Sequence, residues 1–91
     1  MSDIPPAGHD GPAPSADAVS VQINTVLVLL QRALVAERRT EPQDSVRIQQ
    51  LGEQRAAALQ DLRTLPGATP QTLRTISARY AALHTELVEG E

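Results

Sequence analysis

Apolar residues at alternating spacings of three and four run through the C-terminal part of the chain, and this pattern constrains the fold most strongly. A helix places residues at such spacings on one side, and a repeated three-four alternation is typical of helices that pack by knobs into holes. Residues 70 to about 88 are therefore predicted to form a helix. We call its apolar positions the seam: Leu73, Ile76, Tyr80, Leu83 and Leu87.

Two more helices are predicted before the seam. Apolar residues recur at helical spacing from about residue 18 to 39. A second helix is predicted from about 41 to 65, with Thr40 as its N-cap and Gln43 completing a capping box. The short connection makes these two helices an antiparallel hairpin.

The predicted fold class is therefore all-α, an antiparallel helical hairpin with a third helix. That third helix either closes a three-helix bundle or swings away onto a partner. Residues 1–17 contain four prolines and two glycines, and they are predicted to be a disordered leader because they offer little apolar surface to bury. The helical domain is predicted to cover residues 18–89.

Composition limits how stable such a domain can be. The 91 residues include no Phe, no Trp, no Cys and a single Tyr, so aliphatic side chains must supply the core. Small cores of this kind rarely contribute more than about 3–5 kcal/mol, and association is a common further source of stability. The two histidines have no carboxylates at ligand spacing, so we expect neither a metal ion nor a cofactor.

Charge and hydropathy narrow the classes of partner. The net charge is −3 and every basic residue is an arginine, which argues against binding to nucleic acid. The longest apolar run, Val26 to Leu30, is far shorter than the ~20 residues that span a membrane. No basic N-terminal region marks a secretory signal. We expect a cytoplasmic protein, and an alanine-rich composition without lysine favours a bacterial source.

No catalytic constellation is visible. No nucleophile stands beside a base, and no glycine-rich phosphate loop follows a strand. The chain is therefore predicted not to be an enzyme, and its function is expected to be binding another protein.

The candidate binding residues are the seam together with Val28, Val35 and Arg55. The two valines widen the apolar surface of the first predicted helix. Arg55 falls near the middle of the apolar face of the second, where a charge is costly unless it is paired or reaches water. It is either an interface arginine that awaits a partner carboxylate, or a residue that reaches solvent or pairs with Glu86, and the second interpretation is favoured.

The stretch from Leu29 to Leu65 resembles the export chaperones of bacterial flagella, whose second helix has the form L-x-x-x-R-x-x-L-L-x-x-L. An alanine stands here where that pattern usually has a leucine. The short needle co-chaperones of type III secretion systems are similar in size and acidity. The resemblance implies a chaperone that masks an amphipathic helix of its substrate. The matching positions are Leu51, Arg55, Ala58, Leu59 and Leu62.

Two other functions stay open. The chain is alternatively a structural or assembly subunit that forms a homodimer through the seam, or a small phage or bacterial regulator that inhibits a host protein by binding it. The seam does not separate these hypotheses, because the same leucines serve an internal core, a homodimer or a complex with another protein.

Overall fold

The computed structural model describes residues 12–90, and these form three α-helices joined by short connections, which confirms the predicted all-α fold. The helices are α1 (Ala16–Arg38), α2 (Ser45–Thr64) and α3 (Pro70–Glu89). One turn of 3₁₀ helix, Leu65–Gly67, separates α2 from α3. Most of the predicted leader lies outside the described residues, and α1 begins just before the leader's predicted end.

Side-chain caps explain where α1 and α3 begin. The Ser15 hydroxyl accepts a hydrogen bond from the Ala18 N–H at 3.0 Å, and α1 starts at the next residue. The Thr69 hydroxyl accepts from the Thr72 N–H at 3.1 Å, and Pro70 occupies the first helical position. Both residues satisfy an amide that has no partner within its helix.

The predicted N-cap of α2 is wrong. The Thr40 hydroxyl donates back to the Ala36 carbonyl at 3.1 Å, so Thr40 belongs to the turn that follows α1. The cap is Asp44, whose carboxylate accepts from the Arg47 N–H at 3.0 Å. Glu41 precedes a proline, and such residues disfavour the helical conformation. The helix therefore starts at Ser45 and not near residue 41.

The core is built around α1, which contacts both α2 and α3. Since the chain reverses direction twice, α2 is antiparallel to α1 while α3 is parallel to it. Each buried aliphatic side chain contributes about 1.5–3 kcal/mol. The apolar side chains of α1 that are almost fully buried are Val19, Ile23, Val26, Leu30 and Leu34, and those that cover them are Leu51, Ala58, Leu65, Leu73, Ile76, Tyr80 and Leu87.

One polar contact ties α1 to α3. The Ser77 hydroxyl donates to Gln22 Oε1 at 2.8 Å, and Gln22 Nε2 donates to the Ser77 carbonyl oxygen at 3.3 Å. Both bonds are partly buried. Because the two hydrogen bonds join the same two residues, they form together only when Ser77 lies beside Gln22. They therefore fix how far α3 is shifted along α1.

Among the described helices, α1 alone is long and apolar enough to cross a membrane, with a mean hydropathy of 1.5 over 18 residues. Core helices of other proteins meet the same criterion, so the finding is weak evidence for a membrane. It does show that α1 is apolar beyond its core face, because only 28% of that window is buried. The absence of membrane contact stays a prediction.

The two competing cap residues give a direct test of where α2 begins. We expect Asp44→Ala to lower the free energy of unfolding by about 1 kcal/mol, because it leaves the Arg47 N–H without its acceptor. Thr40→Ala, the matched control, is expected to change it by less than about 0.5 kcal/mol. Urea unfolding followed by circular dichroism measures both, and the reverse order of effects would restore Thr40 as the cap.

Candidate protein-binding surfaces

The seam lies inside the bundle. Leu73, Ile76, Tyr80 and Leu87 are each no more than 9% exposed, and Leu83 is half-buried. The third helix therefore packs on the hairpin of its own chain. In this state most of the seam is available to a partner only if α3 leaves the bundle.

A polar bridge joins α2 to α3 near the turn between them. The Tyr80 hydroxyl donates to Asp61 Oδ2 at 2.6 Å, and Arg79 Nη1 donates to the same oxygen at 3.1 Å. Burial raises the pKa of Tyr80 well above its ordinary value of 10.0, and the bond to Asp61 raises it further. The Arg79 side chain is 56% exposed, so its ion pair adds little stability and the tyrosine bond is the main polar link.

Sequence reasoning missed the roles of Asp61 and Arg79. It identified Tyr80 only as an apolar position of the seam, but the partner of its hydroxyl lies 19 residues earlier on another helix. This bond becomes visible only when the relative positions of α2 and α3 are known. Helical periodicity within one element carries no such signal.

Beyond this bridge, α2 and α3 are separated by a groove of about 330 Å³. We call it the Gln54 groove. Gln54 Oε1 is buried there and has no hydrogen-bond partner among residues 12–90, which is a costly state for an amide oxygen. Nothing in the sequence singled out this glutamine. The lining residues are Gln54, Ala57, Arg79, Tyr80, Ala82, Leu83 and Glu86.

A second groove, about 460 Å³ in volume, lies between α1 and α2, and we call it the Arg55 groove. Its apolar part includes Val28, which is 58% exposed. Two arginines, Arg32 and Arg55, lie in the same groove. The complete lining is Asn24, Leu27, Val28, Gln31, Arg32, Arg55 and Leu59.

The structure places Arg55 at the edge of the α2 core face and leaves it exposed. That face is centred on Leu51 and Ala58, and Arg55 is displaced from Leu51 by about 40° around the helix, at 100° per residue. Its side chain reaches solvent in the free chain, and whether it contacts a partner stays a prediction. Glu86, the acid considered as its ion-pair partner, lines the Gln54 groove instead. Val35 is half-buried and lines none of the grooves described.

A third groove, of about 450 Å³, lies between α1 and α3, and we call it the His84 groove. Val21, which is 65% exposed, lies on its α1 side. Small or polar side chains make up most of the rest. Its lining is Val21, Gln22, Thr25, Tyr80, Ala81, His84 and Thr85.

Within residues 12–90, no three His, Asp or Glu side chains are grouped so that they could hold a metal ion. The prediction that the chain uses neither metal nor cofactor stays a prediction. Comparisons with protein-family models, with curated proteins and with solved structures gave no match. The resemblance to export chaperones therefore also stays a prediction.

The bridge at Tyr80 predicts a specific loss of stability at high pH. The folded chain keeps the Tyr80 proton at a pH where the unfolded chain has lost it, because the folded-state pKa lies above 10.0. The contribution of this proton to the free energy of unfolding is therefore complete below pH 10 and falls as pH rises from there toward the folded-state pKa. We expect Tyr80→Phe, which has no phenolic proton, to lose less stability between pH 10 and pH 11 than the unaltered chain. Urea unfolding between pH 8 and pH 11 measures it, and parallel pH profiles for the two proteins would contradict the assignment.

Proposed function

We propose that this chain is a non-enzymatic protein-binding module that seats an amphipathic helix of another protein in the Gln54 groove. The observation that carries the proposal is the buried Gln54 oxygen, which has no hydrogen-bond partner in the groove between α2 and α3. A fourth helix would cover the groove, and a donor on it would satisfy that oxygen once the Gln54 amide turns toward the groove. Recognition of this kind places the apolar face of a helix in a hydrophobic groove.

The apolar lining suits a closely packed helix. Ala57 and Ala82 present small side chains from opposite walls, which favours an interaxial distance near the lower end of the usual ~8–10 Å. Leu83, the seam residue left half-buried, lies beside them and would become buried against the partner. It is thus the natural apolar anchor of the site.

The polar groups of the groove define the chemistry of the partner. Gln54 Oε1 and the Glu86 carboxylate are both acceptors, whereas Arg79 is engaged by Asp61. The groove is therefore expected to favour a helix whose apolar face carries one hydrogen-bond donor. Arginine fits best, because its guanidinium can reach both an amide oxygen and a carboxylate.

The proposed biological role is that of a bacterial secretion chaperone acting in the cytoplasm. The pattern from Leu29 to Leu65 supports it, and so does a groove shaped for one amphipathic helix. Covering such a helix would prevent it from aggregating or polymerising before export. A small regulator that inhibits a host protein would use the same groove, and the two roles differ only in the partner.

A synthetic amphipathic helix of about 20 residues, with a leucine face and one central arginine, tests the site. We expect calorimetry to show at least tenfold weaker binding to Leu83→Asp, because the new carboxylate would be buried at the anchor position. Val88→Asp is the matched control, since Val88 lies on the same helix, is 48% exposed and is not part of the groove. It should bind the peptide as the unaltered chain does.

Gln54→Leu separates recognition from stability. The free chain should become more stable, because a buried oxygen without a partner is removed, yet it should lose its preference for the arginine peptide over a version with leucine at that position. A peptide with the same composition but a scrambled apolar face serves as the negative control. Equal binding of the scrambled and amphipathic peptides would contradict the proposed function.

A further inference from the structure

The outward face of α1 is more apolar than a solvated helix requires. Val21 and Val28 are 65% and 58% exposed, and a spacing of seven residues places them on the same side of the helix. They lie opposite the core face, together with polar and charged neighbours that are also exposed. We call this set the outer stripe: Asp17, Val21, Asn24, Thr25, Val28 and Arg32.

The grooves locate the outer stripe on the molecule. Asn24, Val28 and Arg32 line the Arg55 groove, whereas Val21 and Thr25 line the His84 groove. The outer stripe is therefore the ridge between two grooves, on the side of α1 that faces away from the Gln54 groove.

We propose that the outer stripe is a homodimer interface, in which α1 of a second copy packs antiparallel on α1 of the first. In one register of the two helices, Val21 of each copy lies opposite Val28 of the other, so twofold symmetry produces the contact twice. The twofold axis of the dimer then passes between Asn24 and Thr25. The same surface then serves both copies, as a twofold interface requires.

Charge complementarity supports this occupant and this direction. The same register places Asp17 opposite Arg32 of the second copy, twice in the dimer. Arg55 shares a groove with Arg32, so each Asp17 approaches a site with two guanidinium groups. A parallel arrangement would instead place Asp17 opposite Asp17 and Arg32 opposite Arg32, and like charges repel.

A lipid surface is a poorer occupant of the same stripe. Asp17, Asn24 and Arg32 would have to enter or border the hydrocarbon, where charged and amide groups are costly. In the dimer, by contrast, Asp17 of one copy faces Arg32 of the other. The contact involves one helix from each copy and is small for a protein interface, so the dimer should dissociate on dilution. The proposed dimer does not involve the Gln54 groove, which lies between α2 and α3 on the other side of the core.

Charge reversal tests the proposal by sedimentation over a concentration series at low ionic strength. We expect Asp17→Arg and Arg32→Asp each to weaken the homodimer at least tenfold, because each variant opposes like charges at both ends. An equimolar mixture of the two should dimerise, since the mixed pair restores both ion pairs. The double variant, D17R with R32D, should form a homodimer again.

Two valine variants complete the test. Val28→Asp is expected to be monomeric, whereas Val88→Asp, an exposed valine outside the outer stripe, should dimerise normally. Circular dichroism checks that every variant keeps its helix content. A wild-type chain that stays monomeric up to millimolar concentration would overturn the proposal, and so would single charge variants that fail to pair with each other. Flotation of the wild type with anionic vesicles, lost in Val28→Asp, would overturn it in favour of a lipid surface.

Discussion

The packing of α1 between α2 and α3 is the interaction on which the rest of the structure depends. Without Phe or Trp, the core consists almost entirely of aliphatic side chains, and α1 supplies its central row from Val19 to Leu34. Each flanking helix covers part of that row. Because α2 and α3 are held mainly by α1 and by the Asp61–Tyr80 bond, they separate farther along and leave the Gln54 groove.

The sequence predicted those features that depend on one helix at a time. Periodicity identified the core face of α1 and the whole seam, since a helix repeats every 3.6 residues whatever it packs against. It misplaced the start of α2 because Thr40 and Gln43 have the spacing of a capping box, whereas the helix is capped by Asp44, which follows Pro42. The Gln54 groove depends on the separation of two helices, which no local pattern encodes. For the same reason the sequence left open whether the seam faced a core or a partner.

The two proposed surfaces lie on opposite sides of the core and have different chemistry. The Gln54 groove has small apolar walls and two acceptors, Gln54 Oε1 and the Glu86 carboxylate, which suits a helix that brings a donor. The outer stripe carries its own acid and base, which suits a second copy of the same chain. A dimer would therefore present two outward-facing grooves, and each could take one partner helix. In this account α3 stays in its own bundle, and a partner helix contacts the seam mainly at Leu83, its half-buried residue in the Gln54 groove.

The central claim is that α3 packs on α1 of the same chain, and the Gln22–Ser77 contact reports on it directly. Isotope-filtered NOE spectra of a mixture of labelled and unlabelled chains distinguish contacts within a chain from contacts between chains. We predict NOEs between the Gln22 side-chain amide and Ser77 within a single chain, with intensities that do not change on dilution. The same NOEs arising only between chains, or disappearing on dilution, would contradict the account, because α3 would then pack on a partner.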